Sequence, residues 1–248
     1  MNFGPLQIKL QKFGEAWNFP SPDANWHADG YYGFSPLEHE ATGLTPFYTM
    51  VKQGVLPEPV IGMYIVRTNT SLGGELLLGG RDSSHYQGQL TYLNVTAFDA
   101  LVGWKVKMDG VKVPSINKSF CDGCQVVLRN QDAFSYVKYP EAEKLNVALG
   151  AILYRISLYV GYFRFFCKDV SSLPQVVVAI AGKEFVIGPE RYVLKVTEPS
   201  GKTACISSFV GVRLDPDFDW SLGTAFFETA YVEFNLEYNQ VGLALSAN

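Results

Sequence analysis

Residues 171–196 read SSLPQVVVAIAGKEFVIGPERYVLKV and contain three short apolar runs, at 175–180, 185–187 and 192–196. The Ala-Gly-Lys segment at 181–183 separates the first two runs. Short runs that are rich in Val, Ile, Phe and Tyr and are broken by such turns are typical of β-strands, since a helix needs a longer periodic segment. This stretch therefore predicts neighbouring strands in a β-sheet.

The same pattern of short apolar segments extends over most of the chain. Asp109-Gly110 is a dipeptide typical of a two-residue hairpin turn, and we expect helices at 44–53 and 140–153. Many short strands at this spacing predict an all-β architecture. Further strands are expected at 92–95, 104–108, 162–166, 204–209 and 230–235.

The composition excludes some classes of function. The 248 residues are 48% hydrophobic, which is enough for a real core, and the net charge is −4. A phosphate-binding surface needs an excess of Lys and Arg, so nucleic acid is not expected as a partner. The most apolar window, 145–166, contains Arg155 and Arg164, and a central arginine costs about 3 kcal/mol on membrane insertion. We therefore expect no membrane span.

Four cysteines, Cys121, Cys124, Cys167 and Cys205, form an even set that fits two disulfide bonds. The C-x-x-C spacing of the first two is also typical of a redox pair or of half a zinc site. A zinc site would need a second close pair, yet the other two cysteines lie far apart in the sequence and have no adjacent histidine. We therefore expect no metal site and no cofactor.

Three N-glycosylation sequons begin at Asn69, Asn94 and Asn117. Together with the paired cysteines they favour a glycoprotein of the secretory pathway, where disulfides persist. Residues 1–10, MNFGPLQIKL, lack the charged segment and the long apolar segment of a signal peptide. These two indications of compartment conflict.

Other candidate sites in the sequence are weaker. The three histidines, His27, His39 and His85, lie in no nucleophile-elbow context and are expected in solvated loops or turns. The segment DPDFD at 215–219 resembles the start of a calcium loop, but it lacks the glycine and glutamate that such a loop needs at its sixth and twelfth positions. An acidic surface turn is the better interpretation.

Several segments share their order and spacing with one known family. They are FGEA at 13–16, ADGYYGF at 28–34, GGELLLGGRDSSHYQG at 73–88, WKVKMDGV at 104–111, the stretch at 171–196, CISSF at 205–209 and NQVGLA at 239–244. Together they resemble the pepsin-like aspartic peptidases of family A1, and most closely their cathepsin D-like branch.

This resemblance implies an all-β, bilobed acid protease fold with a peptide cleft between the lobes. Residues 1–95 would be a remnant of the N-terminal lobe, which is expected to be incomplete, and residues 96–248 would be the C-terminal lobe. The resemblance also implies disulfides Cys121–Cys124 and Cys167–Cys205, a peptide or protein as ligand, and a lysosomal or extracellular location.

Catalysis in this family depends on two aspartates, each in an Asp-Thr-Gly or Asp-Ser-Gly loop, that share one proton. Neither tripeptide occurs in this sequence. The second loop should follow Leu128, where the chain reads RNQD at 129–132, so Arg129 takes the position of the aspartate. An arginine stays protonated and cannot act as the base. Asp132 is a weak substitute, because the residues after it oppose the tight turn and it has no partner carboxylate.

Three interpretations of function remain open. The chain is a non-catalytic homologue that keeps a partial peptide-binding groove, an active endopeptidase that cleaves peptide bonds at acid pH with an unusual carboxylate pair, or a truncated product without autonomous function. The missing aspartate loops favour the first and third interpretations over the second.

Overall fold

The computed structural model describes seven segments of the chain. They are residues 1–15, 32–34, 43–67, 72–96, 103–130, 133–213 and 217–247.

Within these segments the chain forms mainly β-strands. The α-helices are α1 (Pro46–Lys52), α2 (Tyr139–Ala148), α3 (Pro189–Tyr192) and α4 (Thr224–Phe227), and 3₁₀ turns span Ser83–His85, Pro114–Ile116 and Cys167–Ser172. The strands are β1 (Asn2–Phe3), β2 (Leu6–Gln7), β3 (Val60–Arg67), β4 (Leu72–Leu78), β5 (Tyr86–Asn94), β6 (Trp104–Val113), β7 (Lys118–Leu128), β8 (Ser135–Lys138), β9 (Ile152–Ile156), β10 (Val160–Phe165), β11 (Val176–Ile180), β12 (Lys183–Ile187), β13 (Val193–Thr197), β14 (Thr203–Ser207), β15 (Phe209–Val212), β16 (Trp220–Leu222), β17 (Ala230–Asn235) and β18 (Gln240–Ser246).

A five-stranded antiparallel sheet combines early and late parts of the chain, in the order β4-β3-β17-β18-β5. Every residue of β17 is buried, which suits a central strand that is covered on both faces. Its apolar residues are joined in the core by Val241 and Leu243 of β18. The two C-terminal strands therefore form the centre of the sheet and connect the earlier strands β3 and β5.

The connection between β4 and β5 crosses this sheet, because these two strands form its opposite edges. Asp82 donates its backbone N–H to the hydroxyl of Tyr231 on β17, at 3.2 Å. The close crossing depends on Gly62 of β3, since a Cβ there would lie 3.1 Å from the carbonyl oxygen of Gly80 and would collide with the Tyr231 hydroxyl. A glycine thus lets the connection pack flat on the sheet.

The second large sheet has eleven strands, in the order β12-β11-β6-β7-β16-β8-β15-β10-β14-β13, with β9 added on β10. Short β16 lies between β7 and β8, parallel to β7 and antiparallel to β8. Val126, Val127 and Leu128 of β7 are all buried, as expected for a strand covered on both faces. Trp220 of β16 is also fully buried.

Helix α2 covers part of this sheet. Ala142, Leu145 and Asn146 of the helix are completely buried, and the Asn146 amide donates to the carbonyl oxygens of Ala142 and Phe209 at 2.8 and 2.9 Å. A buried amide of this kind is tolerated because its donors are satisfied. It ties the helix to the start of β15.

The expected all-β architecture is confirmed, and two local predictions are wrong. Asp109-Gly110 is not a hairpin turn: β6 continues through it, with a bulge between Gly110 and Val111. The Asp109 carboxylate instead accepts the backbone N–H of Gly182, at 2.8 Å, so pairing with β11 and its turn outweighs the local turn preference. The second helix ends at Ala148 instead of 153, because Gly150 takes a left-handed φ of +88° and β9 follows.

The predicted division of the chain at residue 95/96 stays a prediction. Strands β3 to β5 end at Asn94, and β6 to β16 make up the eleven-stranded sheet. Strands β17 and β18 return to the five-stranded sheet. A two-lobe division must therefore include this return of the C-terminal strands to the first segment.

Candidate active-site loop

Strands β7 and β16 are parallel neighbours and end side by side. Leu128 pairs with Leu222 across these parallel strands, and the Arg129 backbone N–H donates to the Leu222 carbonyl oxygen at 3.0 Å. Carboxyl ends of parallel strands lie at one edge of a sheet, so the loops that follow them meet there. Residues 129–130 and 223–224 therefore form one small surface, which we call the β7–β16 loop pair.

Neutral polar side chains join the two loops to each other and to β8. The Thr224 hydroxyl donates to the Asn130 side-chain oxygen at 3.0 Å, and the Gly223 backbone N–H donates to the buried Ser135 hydroxyl, also at 3.0 Å. The Asn130 amide contacts the Met63 sulfur on β3 at 3.6 Å. The β7–β16 loop pair therefore lies where the two large sheets meet.

The described residues of this surface carry no aspartate or glutamate at positions 129–130 or 221–224. Arg129, the first residue after β7, is half-buried. Asp132 lies outside the described residues, so its weak candidacy as a catalytic group stays a prediction. What this surface offers is the Arg129 guanidinium and the exposed Asn130 amide, which bind by hydrogen bonding and cannot share a proton as two carboxylates do.

Two buried carboxylates lie elsewhere, on and before β17, and the sequence did not single them out. Glu228 and Glu233 are 1% and 0% exposed. Glu233 accepts from Arg81 and from the Tyr92 hydroxyl, and Glu228 accepts from Arg67. Both carboxylates are held as ion pairs and therefore serve packing instead of proton transfer. The sequence feature that could have indicated a buried carboxylate is Glu233, the one charged residue in the apolar segment AYVEFN.

These ion pairs shift the pKa values of their partners. The hydrogen bond to Glu228 raises the pKa of Arg67 above its ordinary value, and the hydrogen bond to Glu233 does the same for Arg81. Partial burial and the neighbouring Glu233 charge raise the pKa of Tyr92 to about 12. All three groups keep their protons at neutral and acid pH.

The cysteines pair as the resemblance implies. Cys121 is bonded to Cys124 within β7, and Cys167 to Cys205 between the 3₁₀ turn and β14, with Cα–Cα distances of 5.8 and 5.3 Å. Cys121 has a left-handed φ of +61° and lies at the bulge where β6 and β7 change register. Neither pair is arranged as a metal site, because all four sulfurs are used in disulfides.

Two of the three sequons can be located. Asn94, at the end of β5, and Asn117, after a 3₁₀ turn, are both exposed, and Asn69 lies outside the described residues. Exposure is required for glycosylation, and modification at these sites stays a prediction.

The acidic segment near 217–219 is a surface turn that binds lysines. Asp217 pairs with Lys105 at 2.7 Å, and Asp219 pairs with Lys138 at 3.2 Å while accepting the Gln125 backbone N–H at 2.9 Å. Carboxylates that are already engaged with cations and backbone donors are poor calcium ligands, which agrees with the interpretation of this segment as a turn. Asp215 lies outside the described residues.

A search of the described segments for membrane-spanning helices found none that is long and apolar enough.

Comparison with known proteins identifies the family. A model of the eukaryotic aspartyl proteases matches residues 1–246. The chain belongs to this family. It is 34% identical to rat cathepsin D over 253 aligned residues, 32% identical to human cathepsin D and 32% identical to cathepsin D of Dictyostelium discoideum. The expected resemblance and the all-β, bilobed pepsin-like fold are thus confirmed.

The alignments cover this chain almost completely and its relatives only in part. They include 99%, 98% and 97% of the chain and 60%, 58% and 62% of the rat, human and Dictyostelium proteins. The chain therefore spans about 60% of the length of these relatives. Membership in the family is shown by the similarity, and activity is a separate question.

Proposed function

We propose that this chain is a non-catalytic aspartic peptidase homologue that binds peptide in a groove beside the β7–β16 loop pair. The observation that carries the proposal is Arg129 as the first residue after β7, held by its backbone hydrogen bond to Leu222 at 3.0 Å. In the family an aspartate loop follows this strand, and here a permanently protonated group takes that position.

Arg129 would also disable a carboxylate brought close to it. A nearby positive charge favours the ionised form of a carboxyl group and lowers its pKa. The family's mechanism needs one of two carboxyl groups to hold a proton. An arginine in the loop therefore opposes the protonation state that hydrolysis requires, even if Asp132 approached the site.

The remaining polar groups of the loop pair are suited to binding an extended peptide. Asn130 is exposed and Arg129 is half-buried, and the Asn130 side-chain oxygen is positioned by the Thr224 hydroxyl. An extended peptide presents backbone N–H and C=O groups with which an exposed amide and a guanidinium can pair. Family membership supports a peptide as the ligand class.

The proposal is tested by incubating the purified chain with denatured protein at about pH 3.5–5, where one carboxyl group of an aspartic dyad is protonated. We expect no cleavage. Cleavage that a pepstatin-type inhibitor blocks and that Asp132→Asn abolishes would instead establish an active endopeptidase. A contaminating protease is recognised because its activity would survive Asp132→Asn.

Restoring the family's tripeptide provides a sharper test of the missing dyad. In Arg129→Asp/Asn130→Thr/Gln131→Gly, residues 129–131 become Asp-Thr-Gly. We expect this variant to remain inactive, because the chain has no second Asp-Thr-Gly or Asp-Ser-Gly loop and a lone carboxylate lacks its partner. Peptide binding is measured separately by fluorescence anisotropy with labelled peptides and the inhibitor. A chain that unfolds cooperatively and binds none of them would contradict the groove.

We further propose an oxidising compartment of the secretory pathway. The two disulfides and the exposed sequon residues Asn94 and Asn117 support it, because disulfides persist in such compartments. Expression in secretory cells followed by treatment with an endoglycosidase should lower the apparent mass. Replacing both asparagines with glutamine should remove that shift unless Asn69 is modified.

A further inference from the structure

Three metal-ligating side chains converge on the five-stranded sheet, away from any cysteine. Glu75 lies on β4, Asp82 precedes the 3₁₀ turn Ser83–His85, and His85 ends it. One ligand atom from each lies within 4.8 Å of the others. The crossing of the β4–β5 connection over the sheet brings them together, since Glu75 pairs with Tyr64 of β3 and His85 stacks on the same Tyr64.

The separations between these atoms are longer than direct hydrogen bonds and slightly longer than those between ligands of one ion. His85 Nε2 lies 3.7 Å from a Glu75 oxygen and 3.9 Å from an Asp82 oxygen. Both distances are too long for an N–H···O hydrogen bond, which is typically about 2.7–3.2 Å. In a tetrahedral zinc site, ligand bonds of about 2.0–2.2 Å separate neighbouring ligand atoms by about 3.3–3.6 Å. Closing the site would bring each carboxylate a few tenths of an ångström nearer to His85 Nε2, and would draw together the two carboxylate oxygens, which lie within 4.8 Å of each other.

Two of the three ligands, His85 and Asp82, also make a second contact. The His85 ring lies flat on Tyr64, with centroids 4.1 Å apart and planes inclined by 5°, and its backbone carbonyl accepts from Ala247 at 3.0 Å. One Asp82 oxygen accepts the Ser84 backbone N–H at 2.8 Å, while its other oxygen faces His85. Outer contacts that fix ligand orientation in this way are a regular feature of metal sites.

We propose that Glu75, Asp82 and His85 form a zinc site with one position left for water. Two carboxylates and one imidazole are ligands that zinc accepts. They give the trio two negative charges that a divalent cation neutralises. The bound ion would clamp edge strand β4 to the connection that crosses the sheet. This site does not depend on the proposed peptide binding at the β7–β16 loop pair.

Sequence pattern alone does not reveal this site, because its ligand spacing corresponds to no familiar zinc motif. Glu75 and Asp82 belong to a glycine-rich hairpin segment, and only the folded connection turns their carboxylates toward one imidazole. The expectation of no metal rested on the cysteines, which are indeed used in disulfides.

The test is a titration of the full chain with Zn²⁺ by calorimetry, and with Co²⁺ by visible absorption. We expect one Zn²⁺ per chain and a cobalt d–d absorption band. Separate His85→Gln and Glu75→Gln variants should each bind at least about 100-fold more weakly, since even outer contacts of metal sites contribute about 10–100-fold. Glu75 is exposed, so its replacement leaves the fold intact even if His85→Gln does not fold.

Matched controls separate this site from adventitious binding. Glu143→Gln removes an exposed carboxylate on α2, and Glu184→Gln removes one on β12; both should bind zinc like the wild type. Zinc should also raise the melting temperature of the wild type and of the controls, and not that of His85→Gln. Absence of binding in the wild type, or unchanged affinity in both His85→Gln and Glu75→Gln, would refute the site.

Discussion

Arg67 donates two hydrogen bonds to the buried carboxylate of Glu228, from Nε to Oε2 at 2.8 Å and from Nη2 to Oε1 at 2.5 Å. The two residues are 161 positions apart in the sequence. Arg67 ends β3, and Glu228 precedes β17, so the pair fastens the earlier strand to the returning C-terminal strand. Arg191 lies 3.8 Å from the same carboxylate.

The two halves of this pair should respond unequally to mutation. Glu228 is fully buried, whereas 38% of the Arg67 side chain is exposed. Arg67→Met leaves a buried charge with a weaker partner and should cost about 3 kcal/mol in the free energy of unfolding. Adding Glu228→Gln should recover part of that loss, because it removes the unpaired charge. Urea unfolding at neutral pH measures both effects.

A surface pair provides the comparison for this experiment. Lys112 and Glu184 also form an ion pair, at 2.5 Å, but both side chains are about half exposed. Lys112→Met should cost no more than about 1 kcal/mol. If Arg67→Met costs no more than Lys112→Met, or if the double variant is less stable than Arg67→Met, the Glu228 charge is not the cause.

The hydrogen bond between Tyr92 and Glu233, at 3.0 Å, should make stability depend on pH in alkali. Partial burial and the Glu233 charge raise the pKa of Tyr92 from 10.0 to about 12. The folded state therefore holds the phenol proton more tightly than the unfolded state. This contribution to stability is complete below about pH 10 and is lost as the pH rises to about 12.

Tyr92→Phe should remove the part of the alkaline loss of stability that comes from Tyr92. The difference in unfolding free energy between the wild type and Tyr92→Phe should narrow between pH 10 and pH 12, as measured by short urea titrations at each pH. Tyr238→Phe, at an exposed position in the β17–β18 turn, should retain the wild-type profile. A constant difference between the wild type and Tyr92→Phe over this range would show that Tyr92 does not titrate with folding.

The two disulfides should differ in their effect on stability. Cys167–Cys205 closes a loop with a sequence separation of 38, and Cys121–Cys124 one with a separation of 3. A disulfide stabilises the folded state by restricting the unfolded chain, and this effect grows with loop length. The expected stabilisation is about 4 kcal/mol for the long loop and about 2 kcal/mol for the short one. Cys167→Ser/Cys205→Ser should therefore lower the free energy of unfolding more than Cys121→Ser/Cys124→Ser. A larger loss of stability in Cys121→Ser/Cys124→Ser would mean that the disulfide at the β7 bulge stabilises the fold by more than chain restriction.

Gly62 should tolerate no side chain, because the β4–β5 connection passes directly over it. Gly62→Ala would push the Tyr231 hydroxyl and the Gly80 carbonyl aside, and overpacking of this kind costs about 1–3 kcal/mol. Gly73→Ala on β4 is the matched control, since nothing lies within 4 Å of its Cβ position. Thermal unfolding should show a lower melting temperature for Gly62→Ala alone. Equal melting temperatures for both variants would mean that the connection moves freely.

Local pattern was sufficient for much of the secondary structure. The apolar runs at 175–180 and 185–187 became β11 and β12, and the expected helix at 44–53 became α1. The Asp109-Gly110 turn failed, since a dipeptide preference is small compared with the hydrogen bonds that β6 makes to β7 and β11. The turn preference involves only two residues, whereas the pairing of β6 involves a strand of ten residues.

The sequence by itself determined the family, the all-β class and the arginine that stands where an aspartate is expected. These features lie in contiguous residues, so their chemistry can be recognised without coordinates. Only the tertiary structure decided that Arg67 reaches Glu228, that Asn130 meets Thr224, and that Glu75 and Asp82 converge on His85. Such partners are brought together by the pairing order of strands, and that order depends on the burial of whole faces rather than on any local pattern.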